Sequence, residues 1–151
     1  MHPIGCFVYC SIELGLRVAV YRLDESGGSA LPFQVTPSTP DTRTGNSRAA
    51  ELAMTTHGRF LYPSDRGYDS VAAFGVDPAD GRLLPLGCVP SGVRTPRFIG
   101  LDPEHHLLYA ANEDYDTRSR FDVCHIDGSP DDAAVVVRVG SPTYILSRRV
   151  G

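Results

Sequence analysis

The sequence has no excess of basic charge and no long apolar run. Its 14 Lys and Arg residues are outnumbered by 18 Asp and Glu, for a formal net charge of −4, so we do not expect the basic face of a nucleic-acid-binding protein. No apolar stretch approaches the ~20 residues that span a bilayer, so we expect no membrane helix. The first residues lack a basic stretch followed by an apolar core, so we expect no secretory signal and a cytoplasmic location.

Cysteine pairs and common catalytic motifs are also missing. Cys6, Cys10, Cys88 and Cys124 form no Cys-x-x-Cys pair and have no histidine at zinc-finger spacing, so we predict buried thiols in a reducing compartment and no metal site. The adjacent histidines at 105 and 106 are predicted to lie in a turn. No glycine-rich phosphate loop and no Gly-x-Ser-x-Gly motif occurs, so we expect neither a nucleotide cofactor nor a serine nucleophile.

What the chain does contain is an internal repeat. A segment that begins at Tyr62 recurs 47 residues later at Tyr109 and 53 residues earlier at Tyr9. In each copy an aromatic residue follows the tyrosine by 12 positions, and a glycine follows the aromatic by seven. Repeats of this length are typical of proteins built from stacked or radially arranged units.

Each repeat unit contains short apolar runs separated by turns, and no stretch longer than ten residues keeps a helical apolar period. Four strands in ~40–50 residues is typical of a β-propeller blade. The sequence therefore predicts an all-β fold, a single partial propeller of about three four-stranded blades. The predicted units are residues 1–36, 49–90 and 96–140, followed by an inner strand at 142–147. Because propellers close with four to eight blades, we expect a fragment of a larger ring, and one part of a ring assembled from several chains is the alternative. Open sheet edges would favour self-association.

Three stretches resemble the lactonase family of seven-bladed β-propellers. Residues 56–71, THGRFLYPSDRGYDSV, resemble the family segment DGRFLYxSNRGxDSI, and residues 9–14, YCSIEL, resemble YxxNEL. Residues 95–113 are similar to a late blade of the family. The resemblance spans essentially the whole chain and implies the C-terminal half of a seven-bladed ring. The family includes propeller-type 6-phosphogluconolactonases and a fungal carboxy-muconate lactonizing enzyme.

The resemblance also implies a site of carboxylates and guanidinium groups. Glu13 and Arg66 match the Glu of NEL and the Arg of SNR, which implies a general acid or base and a clamp for an oxyanion or phosphate. Arg97, Glu113 and Glu51 are predicted to contact substrate. Glu13, Arg66 and Glu113 each follow the repeat tyrosine by four positions, so equivalent blades would bring them to one region. The alternative is that all five are solvated or loop-anchoring charges.

Three functions stay open at this point. The resemblance implies hydrolysis of a sugar or phosphosugar lactone without a cofactor. A lactonizing cycloisomerase and a non-catalytic interaction scaffold are the alternatives. The family's Gly-Pro-Arg-His stretch precedes its glutamate by more residues than precede Glu13 here, so we expect negligible activity from this chain alone. The chain also departs from the family at Arg118 and Arg120, where Val or Ile is usual, and at Pro63, which falls inside a predicted strand.

Overall fold

The structure is a computed structural model that describes residues 7–23, 31–40, 47–92, 94–104 and 106–148. These residues form eleven strands and one short 3₁₀ turn at Glu113–Tyr115. None of the helical residues in these ranges belongs to a helix long and apolar enough to cross a bilayer. The strands are β1 Phe7–Ile12, β2 Arg17–Arg22, β3 Gln34–Pro37, β4 Arg48–Met54, β5 Phe60–Arg66, β6 Ser70–Val76, β7 Leu83–Pro90, β8 Pro96–Leu101, β9 Leu107–Asn112, β10 Thr117–Asp122 and β11 Ala134–Arg138.

The strands form three antiparallel meanders, which we name the first sheet (β1–β3), the second sheet (β4–β7) and the third sheet (β8–β11). The predicted all-β fold of blade-like sheets is therefore confirmed. The repeat makes β1 equivalent to β5 and β9, the second strands of their sheets. Within the residues that the structure describes, the first sheet thus has no equivalent of the inner strands β4 and β8.

Successive side chains along a strand point to opposite faces of its sheet, and the second sheet uses both faces for packing. Ala72 and Phe74 pack against the first sheet in one buried cluster, together with Val18 and Val20. Val71 and Ala73 pack against the third sheet in the other cluster. The core of the molecule therefore consists of the two layers between neighbouring sheets.

The repeated tyrosine and glycine meet across these layers, in what we call the tyrosine–glycine contact. The Tyr9 hydroxyl donates a hydrogen bond to the Gly81 carbonyl at 2.8 Å, and the Tyr62 hydroxyl donates to the Gly128 carbonyl at 2.9 Å. Gly128 has a φ of +74°, and a Cβ there would lie 2.3 Å from the Phe60 ring. Only glycine fits this conformation and this approach, so each pair links one sheet to the next.

The connections that leave the second and third sheets are held by the same arrangement of an aspartate and a backbone N–H. Asp69 and Asp116 occupy equivalent repeat positions and have left-handed backbones, with φ of +56° and +53°. The Asp69 carboxylate accepts a hydrogen bond from the Thr95 N–H at 2.8 Å, and the Asp116 carboxylate accepts one from the Ser141 N–H at 2.7 Å. The segment after the third sheet is therefore directed inward like the segment after the second.

The predicted inner strand at 142–147 is not formed. The Tyr144 ring lies 4.4 Å from the Phe98 ring, centre to centre, and the Ser147 hydroxyl donates to the Leu101 carbonyl at 3.1 Å. These contacts place the segment beside β8, but it forms no strand. The inner strand of a blade forms a ladder with the second strand of the same blade. Within the described ranges, no strand follows residues 142–147 to take that place.

The prediction of buried cysteines is wrong for two of the four. Cys10 and Cys124 are exposed and Cys88 is partly buried, while Cys6 lies outside the described residues. Cys10 is exposed because its neighbour Tyr9 faces the second sheet, which turns Cys10 to the opposite face of the first sheet. Cys124 lies in the connection between β10 and β11 and is exposed there.

Candidate functional site

The candidate site lies where the turns after β1 and β5 approach the inner strands β4 and β8. Glu13 begins the turn after β1, and Arg66 ends β5. The Glu13 carbonyl accepts a hydrogen bond from the Ala49 N–H of β4 at 2.9 Å, which fixes the first turn against the second sheet. The repeat position four residues after the tyrosine is thus brought to the junction of two sheets.

The Glu13 carboxylate pairs with two arginines of the second sheet. Its Oε1 lies 3.0 Å from Arg66 Nη2 and 3.7 Å from Arg48 Nη1. Arg48 and Arg66 are directly opposite each other in the β4–β5 ladder, so one carboxylate faces two adjacent guanidinium groups. Sequence reasoning missed Arg48, because nothing in the sequence shows which β4 residue stands opposite Arg66.

A second ion pair lies in the third sheet. Arg97 Nη1 in β8 donates to both oxygens of Glu113, at 2.9 and 3.1 Å. These hydrogen bonds raise the pKa of the Arg97 guanidinium above its ordinary value. The Glu113 N–H donates to the Thr95 carbonyl at 3.1 Å, so the turn after β9 is held against the start of β8.

A bulge in β4 places Glu51 on the same side. The β4–β5 register shifts between Ala49 and Leu52, and Leu52 stands opposite Pro63, which cannot donate to the ladder. The Glu51 N–H donates instead to the Ser64 hydroxyl at 3.2 Å. The proline that departs from the family pattern is therefore accommodated at the bulge that positions Glu51.

Four of the five predicted residues line one open pocket of about 340 Å³: Glu13, Glu51, Arg66 and Arg97. Glu113 reaches the pocket through its ion pair with Arg97. Ser11, Ala49 and Ala50 complete the lining. The structure thus brings all five predicted side chains to one region, while their roles stay predictions.

Two polar atoms of the pocket residues are buried without a hydrogen-bond partner. They are the Ser11 hydroxyl oxygen and the Nε of Arg66. Buried polar atoms in proteins are nearly always paired, so these two atoms are exceptions among the residues that line the pocket. Sequence reasoning did not single out Ser11, whose only signal is its position two residues after the repeat tyrosine.

The pocket combines carboxylate acceptors with guanidinium and hydroxyl donors. Guanidinium groups suit the carbonyl oxygen, carboxylate or phosphate of a small molecule, and an ionised carboxylate accepts hydrogen bonds from water. Across the described ranges, no group of three or more His, Cys, Asp or Glu side chains is arranged to hold a metal ion. The chemistry that this set of groups supports is attack on a polarised carbonyl.

The family profile described as "Lactonase, 7-bladed beta-propeller" matches residues 1–147. The chain belongs to this family. The predicted resemblance to lactonase propellers is confirmed, and the three sheets are blades of a partial propeller.

Named relatives share this family. A 6-phosphogluconolactonase of Bacillus subtilis is 33% identical over 113 residues, which are 75% of this chain and 32% of that protein. A 6-phosphogluconolactonase of Pectobacterium carotovorum is 31% identical over 137 residues, which are 91% of this chain and 40% of that protein.

Among solved structures, the periplasmic gluconolactonase of Pseudomonas aeruginosa matches with a TM-score of 0.87 and 29% identity. The match covers 93% of this chain and 39% of that structure. A protein from Lactobacillus plantarum matches with a TM-score of 0.87 and 26% identity, over 93% of this chain and 41% of the other. The chain therefore spans between 32% and 41% of the length of these four proteins.

Proposed function

We propose that these blades carry the carboxylate–guanidinium part of a site that hydrolyses a sugar lactone, with a phosphosugar lactone as the first candidate substrate. The observation that carries the proposal is the single pocket lined by Glu13, Glu51, Arg66 and Arg97. Relatives named 6-phosphogluconolactonase and gluconolactonase support a lactone as the substrate class.

In the proposed reaction, a water molecule adds to the ring carbonyl while Glu13 accepts the water proton. Arg66 and the Ser11 hydroxyl donate to the oxygen on which negative charge develops. The ring C–O bond then breaks, and the leaving alkoxide takes the proton back from Glu13, which leaves the free hydroxy acid. Arg97, held by Glu113, lies on the third sheet and is placed to bind an anionic group of the substrate.

We further propose that the 151 residues alone give negligible turnover, because the chain spans less than half the length of its relatives. The purified chain is assayed for hydrolysis of 6-phosphogluconolactone and of gluconolactone above the spontaneous rate. Turnover comparable to that of a complete relative contradicts this statement.

A chimera tests the site itself. The equivalent blades of the Pectobacterium carotovorum relative are exchanged for this chain, and the product is assayed with 6-phosphogluconolactone. We expect an active chimera in which Glu13→Gln lowers kcat/KM by roughly 10²–10⁴, the range for general-base help. We expect Arg66→Gln to lower kcat/KM by roughly 10²–10³, the range for one oxyanion donor. Asp132→Asn, at an exposed carboxylate outside the pocket, is the matched control.

If the two pocket variants and the control have equal activity, the proposed roles are wrong. A binding measurement covers the case in which the chimera does not fold. The 151-residue chain is titrated with 6-phosphogluconate, and Arg66→Gln is expected to weaken binding while Asp132→Asn leaves it unchanged. Equal binding by all three proteins contradicts the assignment of the pocket.

A further inference from the structure

The two arginines that line the pocket differ in how their charge is matched. Arg66 pairs with Glu13, but the same Glu13 oxygen also lies 3.7 Å from Arg48 Nη1, so that carboxylate is divided between two guanidinium groups. Arg97 pairs with Glu113, whose two oxygens lie 2.9 and 3.1 Å from Arg97 Nη1. Within the described ranges Glu113 forms no second ion pair. Arg97 therefore has a carboxylate of its own.

The formal charges around the pocket balance only because of Glu113. The pocket and its ion pairs contain three carboxylates and three guanidinium groups, namely those of Glu13, Glu51, Glu113, Arg48, Arg66 and Arg97. Without the charge of Glu113, the same set has a formal net charge of +1. Guanidinium groups bind phosphate and carboxylate largely through charge, so this one carboxylate decides whether the set is neutral or cationic.

The turn after β9 holds Glu113 beside Arg97. The Glu113 N–H donates to the Thr95 carbonyl at 3.1 Å, and the Thr95 hydroxyl donates to the carboxylate of Asp114. The Thr95 N–H in turn donates to the Asp69 carboxylate at 2.8 Å. Because Thr95 lies two residues before Arg97, both partners of the ion pair are attached to the same anchored segment. The fold thus positions the Glu113 carboxylate for Arg97.

A ligand in the pocket can still reach Arg97. The Arg97 side chain is 49% exposed and lines the pocket, whereas the Glu113 side chain is 26% exposed and is not part of the lining. Glu113 binds Nη1, and among the described residues Nε and Nη2 of Arg97 donate no hydrogen bond. A bound anion therefore competes with Glu113 for the charge of Arg97 without having to displace Glu113 from the pocket.

We propose that Glu113 is a specificity-determining residue, which weakens the binding of phosphorylated substrates by neutralising Arg97. This inference rests on the proposed lactone site. In that site Glu113 contacts Arg97 and not the substrate, and it narrows the difference in affinity between a phosphosugar lactone and the corresponding neutral lactone. Specificity is a difference between two affinities, and a carboxylate beside the binding group acts only against the ligand that carries the extra negative charge.

The test compares the binding of 6-phosphogluconate and gluconate to the whole 151-residue chain by calorimetric titration. The two ligands share a carboxylate and differ in the phosphate. Glu113→Gln keeps the size of the side chain and is expected to tighten 6-phosphogluconate binding roughly 2–5-fold, the range that corresponds to an exposed ion pair, while gluconate binding changes less. Asp132→Asn removes the same charge outside the pocket and is expected to change neither affinity.

A double-mutant comparison shows whether Glu113 acts through Arg97. In the Arg97→Gln background, Glu113→Gln is expected to leave the ratio of the two affinities unchanged, because the guanidinium group that it neutralises is gone. In the chimera, Glu113→Gln is expected to lower KM for 6-phosphogluconolactone relative to KM for gluconolactone and to leave kcat unchanged. A general loss of structure does not produce that split.

An affinity ratio that Glu113→Gln does not change overturns the proposal, and so does an equal change in Asp132→Asn or in the Arg97→Gln background. The proposal is also wrong if neither the wild type nor Glu113→Gln binds 6-phosphogluconate. The proposed function fails by a different result, in which Arg66→Gln and Asp132→Asn bind 6-phosphogluconate equally. If Arg66→Gln weakens binding and Glu113→Gln leaves the ratio unchanged, only the role of Glu113 is wrong.

Discussion

Glu13 serves both the fold and the proposed chemistry. Its main-chain carbonyl anchors the first turn to β4, and its carboxylate faces Arg48 and Arg66. The carboxylate is about half exposed, at 52%, and exposed ion pairs contribute only ~0.2–1 kcal/mol to stability. The ion pairs of Glu13 with the two arginines are therefore expected to add little to the stability of the fold.

The tyrosine–glycine contact gives a residue-level test with a matched control. Tyr62→Phe removes the hydroxyl that donates to the buried Gly128 carbonyl, so the free energy of unfolding is expected to fall by about 1–3 kcal/mol. Tyr109→Phe removes the hydroxyl at the equivalent position of the third sheet, where the described residues hold no further repeat unit to supply the partner glycine. This variant is expected to change stability by under ~0.5 kcal/mol. Urea unfolding of both variants measures the difference. Equal decreases in the free energy of unfolding of the two variants show that the hydrogen bond from Tyr62 to Gly128 contributes no stability of its own.

The raised pKa of the Tyr9 phenol predicts that the protein loses stability at alkaline pH. Burial, and secondarily the negative charge of Asp80, raise the pKa of Tyr9 from 10.0 to about 12. Because the unfolded chain loses this proton first, the stabilising contribution is complete below about pH 10 and disappears as the pH rises towards about 12. The free energy of unfolding of the wild type is expected to fall more steeply in this window than that of Tyr9→Phe. Parallel pH profiles contradict this explanation.

At the scale of elements, the third sheet differs from the other two on one face. The positions of Val18 and Val20 in the first sheet correspond to Val71 and Ala73 in the second, and each pair packs against the next sheet. In the third sheet the same positions hold Arg118 and Arg120. Arg118 lies over the Tyr109 ring at 5.3 Å, and Arg120 pairs with Asp122 at 3.4 Å. This face is therefore charged where its counterparts are apolar.

Charge on an open sheet face opposes association with other chains. Arg118→Val is expected to make the purified chain associate at lower protein concentration, because it restores the apolar pattern of a packed blade face. Arg138→Val removes the same charge from the neighbouring edge strand β11 and is the control. Light scattering after size-exclusion chromatography measures both variants. Equal association by the two variants shows that the position of the charge is unimportant.

At the scale of the molecule, three sheets of a seven-bladed family leave edges unpaired. Along the part of the chain that the structure describes, β1 has a partner on one side only, and residues 142–147 lie beside β8 without a ladder. Unpaired strand edges are templates for other strands. Among the described residues, the first sheet has no inner strand equivalent to β4 and β8.

We therefore expect the isolated 151-residue chain to self-associate through these edges. Its mass from light scattering is expected to rise with protein concentration, and Tyr144→Asp, which weakens the packing of 142–147 on Phe98, is expected to reduce the rise. A monomer that unfolds cooperatively at every concentration contradicts the expectation.

The sequence by itself determined the repeat, and with it the strands, their grouping into blades and the residues that occupy equivalent positions. Those features follow from the alternation of apolar and polar residues within short segments and from the repeat period along the chain, and both are present in the sequence itself. The five candidate site residues were found because they fall at repeat positions and in matched family motifs.

Only the tertiary structure decided which of those residues meet. Glu13 of the first sheet faces Arg48 and Arg66 of the second, Tyr62 binds the glycine of the third sheet rather than its own, and His106 faces His125. It also decided that Cys10 is exposed and that 142–147 forms no strand. Contacts between sheets depend on which face each sheet presents to its neighbour and on whether a partner strand is present. Neither is recorded in the local pattern of residues.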